Sequence, residues 1–135
     1  MLVQPYLFFD GRCEEALEFY KKAIGAEVTM LMRFKDSPTP PTMAPSSSEE
    51  KIIHSCFKVG DSTIMASDGE CGNALAFQGF SLSISAPSVA EADRIFAAIA
   101  EGGQVQMPQS ETFFSPRFGM VTDRFGISWM VIVPM

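Results

Sequence analysis

The hydrophobic pattern changes from strand-like to helical within residues 5–27, PYLFFDGRCEEALEFYKKAIGAE. An apolar run from Val3 to Phe9 ends at Asp10-Gly11 and predicts a buried first strand. From Arg12 onward the apolar residues recur at helical spacing, which predicts an amphipathic helix that ends at Gly25. The predicted buried face of this helix comprises Cys13, Ala16, Leu17, Tyr20, Ala23 and Ile24.

Three further strands are predicted after the helix. Glu27 to Phe34 is the first of them, and Lys51 to Val59 and Ser62 to Ser67 form a hairpin through Gly60-Asp61. Residues 37–49, SPTPPTMAPSSSE, hold four prolines and four serines, which predicts a flexible loop.

The same succession recurs in the second half of the chain. Phe77 to Ala86 predicts a strand, and the S-x-x-E capping box at Ser88 predicts the start of a second helix. Three strands are expected after it, at about residues 104–111, 113–122 and 127–133. The repeat predicts one α+β domain of two βαβββ modules, residues 1–70 and 76–135, whose mixed sheets curve around a cavity with the helices outside.

Composition narrows the class of protein. A chain of 135 residues with 47% hydrophobic and 19% charged residues is typical of one globular domain. A net charge of −6 argues against a nucleic-acid partner. No apolar run approaches the roughly 20 residues that span a bilayer, so no membrane association is expected. Three irregularly spaced cysteines, Cys13, Cys56 and Cys71, favour a reduced, cytoplasmic protein.

Three runs carry a resemblance to a known family: residues 5–27, residues 51–68 (KIIHSCFKVGDSTIMASD) and residues 118–133 (FGMVTDRFGISWMVIV). Together they resemble the PhnB-like branch of the vicinal-oxygen-chelate (glyoxalase/bleomycin resistance/dioxygenase) superfamily. That family carries an old label as a demethylubiquinone methyltransferase. The sequence offers no support for the label, because it has no strand–GxGxxG–helix element for a nucleotide-type methyl donor.

The resemblance also implies where a metal would bind. Metal-dependent relatives use four inward-facing His, Gln or Glu ligands. The matching positions here are Gln4 or Tyr6, Met65, Phe80 or Ser81, and Met130. Thioether sulfur is a poor ligand for Mg, Mn, Ni or Zn, so we expect no bound metal and no cofactor.

His54 is the only histidine of the chain and lies in phase with Ile52 and Cys56 on a predicted strand. It is a candidate substrate hydrogen-bond partner or general base. The alternative is a partly buried histidine that a neighbouring side chain satisfies. Glu111 is the second catalytic candidate, because its ETFF sequence resembles a recurring element of the family, and Asp68 could add a second carboxylate.

The expected cavity wall follows from strand alternation. In FSLSIS, residues 80–85, period two puts the apolar side chains on one face and the serines on the other. If the apolar set packs under the helix, the serines face the cavity. The predicted cavity-lining residues are Gln4, Tyr6, Thr63, Met65, Ser67, Ser81, Ser83 and Met130.

These patterns leave three functions open. The leading hypothesis is a protein that binds a small-molecule ligand in a metal-free cavity. The second is an enzyme, either a metal-dependent lyase, isomerase or dioxygenase with a non-standard ligand set, or one that uses His54 as base. The third is a structural or interaction module. A homodimer is expected from the resemblance in each case.

Overall fold

Each half of the chain follows the same order of elements: a strand, a helix and three strands. In the computed structural model, the described residues are 1–37, 49–69 and 76–135. They belong to two compact units, Met1–Leu75 and Ala76–Met135. Most of the predicted flexible loop, residues 38–48, lies outside the described residues.

The described residues of the first unit form five main elements and one short 3₁₀ helix, Phe34–Asp36. They are β1 (Tyr6–Phe8), α1 (Cys13–Ile24), β2 (Glu27–Arg33), β3 (Ile52–Val59) and β4 (Ser62–Ser67). The sheet order is β1-β4-β3-β2, with β1 parallel to β4 and the other pairs antiparallel.

The second unit repeats this plan. Its elements are β5 (Leu82–Ser85), α2 (Val89–Ala100), β6 (Gln104–Thr112), β7 (Ser115–Thr122) and β8 (Ser128–Ile132). The sheet order is β5-β8-β7-β6, and only β5 and β8 are parallel. The two predicted βαβββ modules are therefore confirmed as two four-stranded mixed sheets with one helix each.

Both helices form where the sequence predicts them. Gly25 takes the left-handed conformation at φ 68° and ends α1. The Ser88 hydroxyl accepts a hydrogen bond from the Glu91 backbone N–H at 3.2 Å, which caps the first turn of α2. No helix among the described residues is long and apolar enough to cross a membrane.

In each unit the helix packs on one face of the sheet. Tyr20 of α1 stacks on Phe57 of β3 with ring centroids 5.8 Å apart. In the second unit, a Cβ built on Gly119 of β7 would come within 2.7 Å of the Phe96 ring of α2. Because side chains alternate along a strand, the residues one position away from Phe57 and Gly119 lie on the opposite face, here called the helix-distal face.

The structure corrects several predicted boundaries. Strand β1 begins at Tyr6 and not at Val3, which is 91% exposed. Strand β5 begins at Leu82 and not at Phe77, and it pairs with residues 129–132 of β8. Phe80, predicted to pack under the helix, precedes β5 and is 44% exposed.

Candidate functional site

The helix-distal face of the first sheet collects the first unit's candidate site residues. In the parallel β1–β4 register Tyr6 pairs with Met65, and in the β3–β4 register Met65 pairs with Cys56. Phe57 and its partner Ile64 are buried on the α1 side. Tyr6, Met65 and Cys56 therefore form one row across the other side.

His54 lies next to this row and contacts two of its members, Tyr6 and Cys56. Its Nδ1 atom is 2.9 Å from the Tyr6 hydroxyl oxygen, and the two rings stack with centroids 5.6 Å apart. Its Nε2 atom is 3.7 Å from Cys56 Sγ, within the longer reach of a sulfur hydrogen bond. Both ring nitrogens of His54 thus have a side-chain partner, which agrees with the alternative of a histidine satisfied by its neighbours and leaves a role as base open.

Apolar groups surround this His54 cluster of Tyr6, His54 and Cys56. The Phe8 ring lies 5.0 Å from that of Tyr6, and Met32 pairs with His54 in the β2–β3 register. Tyr6 is 36% exposed and Phe8 45%, while His54 and Cys56 are half-buried. The face can therefore offer a ligand aromatic and thioether contacts beside an imidazole, a phenol and a thiol.

Sequence reasoning placed His54 and Cys56 in phase but did not predict that they form a pair. The signal was available as the His-x-Cys spacing, because residues two apart on a strand share a face. The Tyr6 contact had no such signal. Tyr6 reaches His54 from β1, and β4 lies between the two strands.

The other three predicted cavity-lining residues of the first unit are Gln4, Thr63 and Ser67. Gln4 precedes β1 and is half-buried, and Thr63 is half-buried on β4. Ser67 is only 2% exposed, and its hydroxyl accepts a hydrogen bond from the Gly69 backbone N–H at 3.1 Å.

The Asp68 carboxylate links the start of α1 to β3 through backbone hydrogen bonds. Its Oδ1 atom accepts hydrogen bonds from the N–H groups of Gly11 and Cys13, each at 2.8 Å. Its Oδ2 atom accepts one from Ile52 N–H at 2.8 Å, and the residue is 1% exposed. A carboxylate committed to three backbone donors fixes the start of α1 against β3 and is a poor candidate for acid/base work.

The second sheet also has a helix-distal face with predicted site residues. Ser83 pairs with Met130, and Met130 pairs with Met120, in the registers of β8 with its two neighbours. Ser81 lies just before β5, and its hydroxyl is 2.7 Å from that of Ser128. This face therefore combines thioethers with hydroxyl groups.

Glu111 lies near the end of β6, and it is exposed. The neighbouring aromatic residues Phe113, Phe114 and Phe118 form edge-to-face contacts, with centroids 5.2 Å and 5.1 Å apart. Its predicted catalytic role stays a prediction, since no contact of its carboxylate points to a reaction.

The similarity to known proteins extends over nearly the whole chain. Residues 2–132 match the family described as 3-demethylubiquinone-9 3-methyltransferase. The chain is 33% identical to Protein YjdN of Escherichia coli (strain K12) over 98% of this chain and 95% of that protein. Its sequence is 41% identical to that of protein PA1353 from Pseudomonas aeruginosa, whose crystal structure matches with a TM-score of 0.88. The match covers 99% of this chain and 98% of PA1353.

A third relative carries the name of the branch. It is a putative 3-demethylubiquinone-9 3-methyltransferase, PhnB protein, from Bacillus cereus, 27% identical with a TM-score of 0.81 and coverage of 98% and 99%. The chain belongs to the PhnB-like branch of the vicinal-oxygen-chelate superfamily. At 13% identity, the fosfomycin resistance protein FosX from Mesorhizobium loti shares the fold, with a TM-score of 0.66 over 100% of this chain and 92% of FosX.

The metal ligands expected of this superfamily do not fit the residues of this PhnB-like protein. Two of the four positions are methionines, Met65 and Met130, and a third is Phe80 or Ser81, of which the Ser81 hydroxyl contacts Ser128. Hard divalent cations prefer oxygen and imidazole ligands to thioethers. Among residues 1–37, 49–69 and 76–135, no three His, Cys, Asp or Glu side chains are grouped as a metal site requires.

Proposed function

We propose that this PhnB-like protein binds a small, largely apolar molecule on the helix-distal face of its first sheet, without a resident metal. The observation that carries the proposal is the 2.9 Å contact between Tyr6 and His54, whose rings stack among apolar neighbours. Small-molecule sites combine apolar walls with a few polar groups that fix orientation. Phe8 and Met65 supply such walls here.

The helix-distal face of the second sheet supports the same class of ligand. Ser81 and Ser128 place two hydroxyl groups 2.7 Å apart, and each can donate to or accept from a polar group. Met130 and Met120 give this face adaptable apolar surface. We propose it as a second contact surface for small molecules.

A thermal-shift screen of the purified protein against a library of small aromatic and carbonyl compounds tests the proposal. Ligands at 100 times their dissociation constant are expected to stabilise the folded chain by about 2.7 kcal/mol. For each hit, Tyr6→Phe and His54→Gln are expected to weaken binding by about tenfold, as loss of one hydrogen bond does. Calorimetric titration gives these constants.

Lys58→Gln is the matched control, because Lys58 is exposed and lies four residues after His54 on the same strand. Its affinities are expected to stay within a factor of two of the wild-type values. A screen without any stabilising compound would contradict the proposal and favour a structural or interaction module. Hits that bind Tyr6→Phe and His54→Gln as tightly as the wild type would contradict the site.

We further propose that the protein is a cytoplasmic homodimer. The odd number of cysteines, three, supports a reducing compartment. Exposed apolar side chains on the edge strand β6, Val105 and Met107, support self-association.

A further inference from the structure

We propose that Cys56 is a nucleophilic thiol that captures small α,β-unsaturated carbonyl compounds, with His54 as its base and Tyr6 as a positioning residue for the imidazole. The inference rests on the proposed function, because it names the chemical class of one ligand for the same face. It adds a covalent step to the binding.

The geometry of the three side chains is that of an activated nucleophile. Cys56 Sγ lies 3.7 Å from His54 Nε2, and His54 Nδ1 lies 2.9 Å from the Tyr6 hydroxyl oxygen. A nucleophile, a base within reach and a third group that orients the base are the parts that activate a weak thiol. In the neutral tautomer with hydrogen on Nδ1, that N–H donates to Tyr6, and the lone pair of Nε2 faces the thiol.

The surroundings of Cys56 suit a conjugated alkene. The thiol is half-buried, and its cross-strand neighbours are the thioethers Met65 and Met30. The Tyr6 and Phe8 rings lie 5.0 Å apart on the same face and can cover a flat, apolar molecule. A thiolate adds readily to the polarised double bond of such a compound.

Cys13 provides a comparison within the same unit. It is 0% exposed, and burial together with the nearby Asp68 carboxylate raises the pKa of its thiol to about 12. Its Sγ atom contacts the Ser55 hydroxyl at 3.8 Å, which is no base. We expect Cys13 to be inert under conditions in which Cys56 reacts.

The proposed step balances without a further reactant. The thiol proton of Cys56 moves to His54 Nε2, and the sulfur forms a bond to the β-carbon of the alkene. The π electron pair of the C=C bond moves onto the carbonyl system as an enolate. The α-carbon then takes the proton from His54 Nε2, so that S–H has added across the double bond.

Besides Cys56, four titratable side chains of the described residues lie on this face: Tyr6, His54, Lys58 and Glu27. Glu27 pairs with Lys58 in the β2–β3 register, and Lys58 follows Cys56 by two residues. The described residues of β4 contribute none. A charge effect of Lys58 must therefore be separated from proton transfer to His54.

The test is the rate at which N-ethylmaleimide labels Cys56 between pH 5 and 9, followed by intact mass and peptide mapping. A Cys71→Ser background leaves Cys56 and Cys13 as the two thiols. At pH 6.5, Cys56 is expected to react at least about tenfold faster in the folded protein than in urea, and Cys13 only in urea.

His54→Gln is expected to slow Cys56 labelling at pH 6.5 by about tenfold or more, because the variant lacks the base that accepts the thiol proton. Tyr6→Phe is expected to slow it less and to move the midpoint of the pH–rate profile, which a merely structural role would not do. Lys58→Gln is expected to change the rate less than twofold. If circular dichroism shows that His54→Gln does not fold, the labelling rate and pH–rate profile of Tyr6→Phe test the proposal instead.

The proposal is overturned if folded Cys56 reacts no faster than unfolded Cys56, or if the folded variants keep the wild-type profile. The proposed function has a separate readout, namely stabilisation of Cys56→Ser by non-covalent ligands such as N-ethylsuccinimide or the hits of the screen. Stabilisation without accelerated labelling overturns only the thiol chemistry. Accelerated labelling without any stabilisation contradicts only the non-covalent binding.

Discussion

Cys13 and Cys56 belong to the same unit and differ because of the side of the sheet on which each thiol lies. Cys13 is at the start of α1 and is fully buried between the helix and β3, where its thiol contacts Ser55. Cys56 lies on the helix-distal face beside His54. The same residue type is therefore an inert core side chain in one place and a candidate nucleophile in the other.

Burial of Cys13 predicts an alkaline limit to stability. Its pKa is raised from 9.0 to about 12 in the folded protein, first by burial and then by the Asp68 carboxylate. Below pH 9 the thiol is neutral in both states and its stabilising effect is fully present. Between about pH 9 and 12 only the unfolded chain ionises, so the free energy of unfolding falls by up to about 4 kcal/mol.

Urea unfolding at intervals from pH 8 to 11 measures this loss. Cys13→Ala removes the titrating group, so its free energy of unfolding should fall less steeply with pH, even though its value at pH 8 is lower. Val121→Ala is the control, because it truncates a fully buried side chain without removing a titrating group, and it should keep the wild-type slope. Equal slopes for the wild type and Cys13→Ala would contradict the prediction.

At the scale of residues, the sequence predicted which side chains share a face better than which side chains touch. The period-two pattern placed His54 with Cys56, and the two are in contact. It could not predict the Tyr6 contact, because a strand pattern carries no information on which strand lies next to which. The same limit applies to Asp68, whose three backbone donors come from residues 11, 13 and 52.

Among the elements, the helices were predicted more accurately than the first strand of each unit. Capping residues mark a helix end locally, as Gly25 and Ser88 do. A strand extends only as far as its partner, and β8 pairs with β5 over four residues, 82–85. The alternation itself was right, since Leu82 and Ile84 are half-buried while Ser83 and Ser85 are exposed.

The turn between α2 and β6 requires glycine at position 103, because there is no space for a side chain there. A Cβ on Gly103 would collide with the Thr122 carbonyl oxygen and lie 3.0 Å from the Asp123 Cα. Those atoms are backbone, and Thr122 is held in register by Gln104. We expect Gly103→Ala to lower the free energy of unfolding by about 2–4 kcal/mol, since backbone must shift to admit the methyl group.

Urea denaturation of Gly103→Ala measures this cost. Gln104→Ala is the control: Gln104 is exposed one residue later, and its truncation is expected to change the free energy of unfolding by about 0.5 kcal/mol or less. A Gly103→Ala protein as stable as this control would show that the turn can open at no cost.

For the whole molecule, the order of strand-like and helix-like hydrophobic periods, repeated in the two halves of the sequence, was enough to predict the architecture. Each unit is indeed a strand, a helix and three strands. Family membership followed from runs distributed over the chain, and the match to residues 2–132 confirms it. The shared cavity, the cytoplasmic location and the ligand stay predictions. Side chains at ligand positions vary within one fold, so the fold does not determine the chemistry.

Self-association is a property of the whole molecule that the exposed residues of the second unit favour. Strand β6 is at the edge of its sheet, and Val105 and Met107 on it are each 43% exposed. The adjoining turn exposes Phe113 at 94% and Phe114 at 40%. An edge strand that exposes apolar side chains and unpaired backbone groups can pair with a second copy of the chain.

Light scattering coupled to gel filtration at micromolar concentration is expected to give twice the 14.8 kDa of one chain. Replacing Met107 and Phe113 together with serine should shift the equilibrium toward the monomer, because it removes apolar surface from the edge. Val89→Ser is the matched control, since Val89 is 41% exposed on α2, away from β6 in sequence, and it should leave the mass unchanged. A wild-type mass of 14.8 kDa would rule out the dimer, and a dimer unaffected by the double substitution would place its interface on another surface.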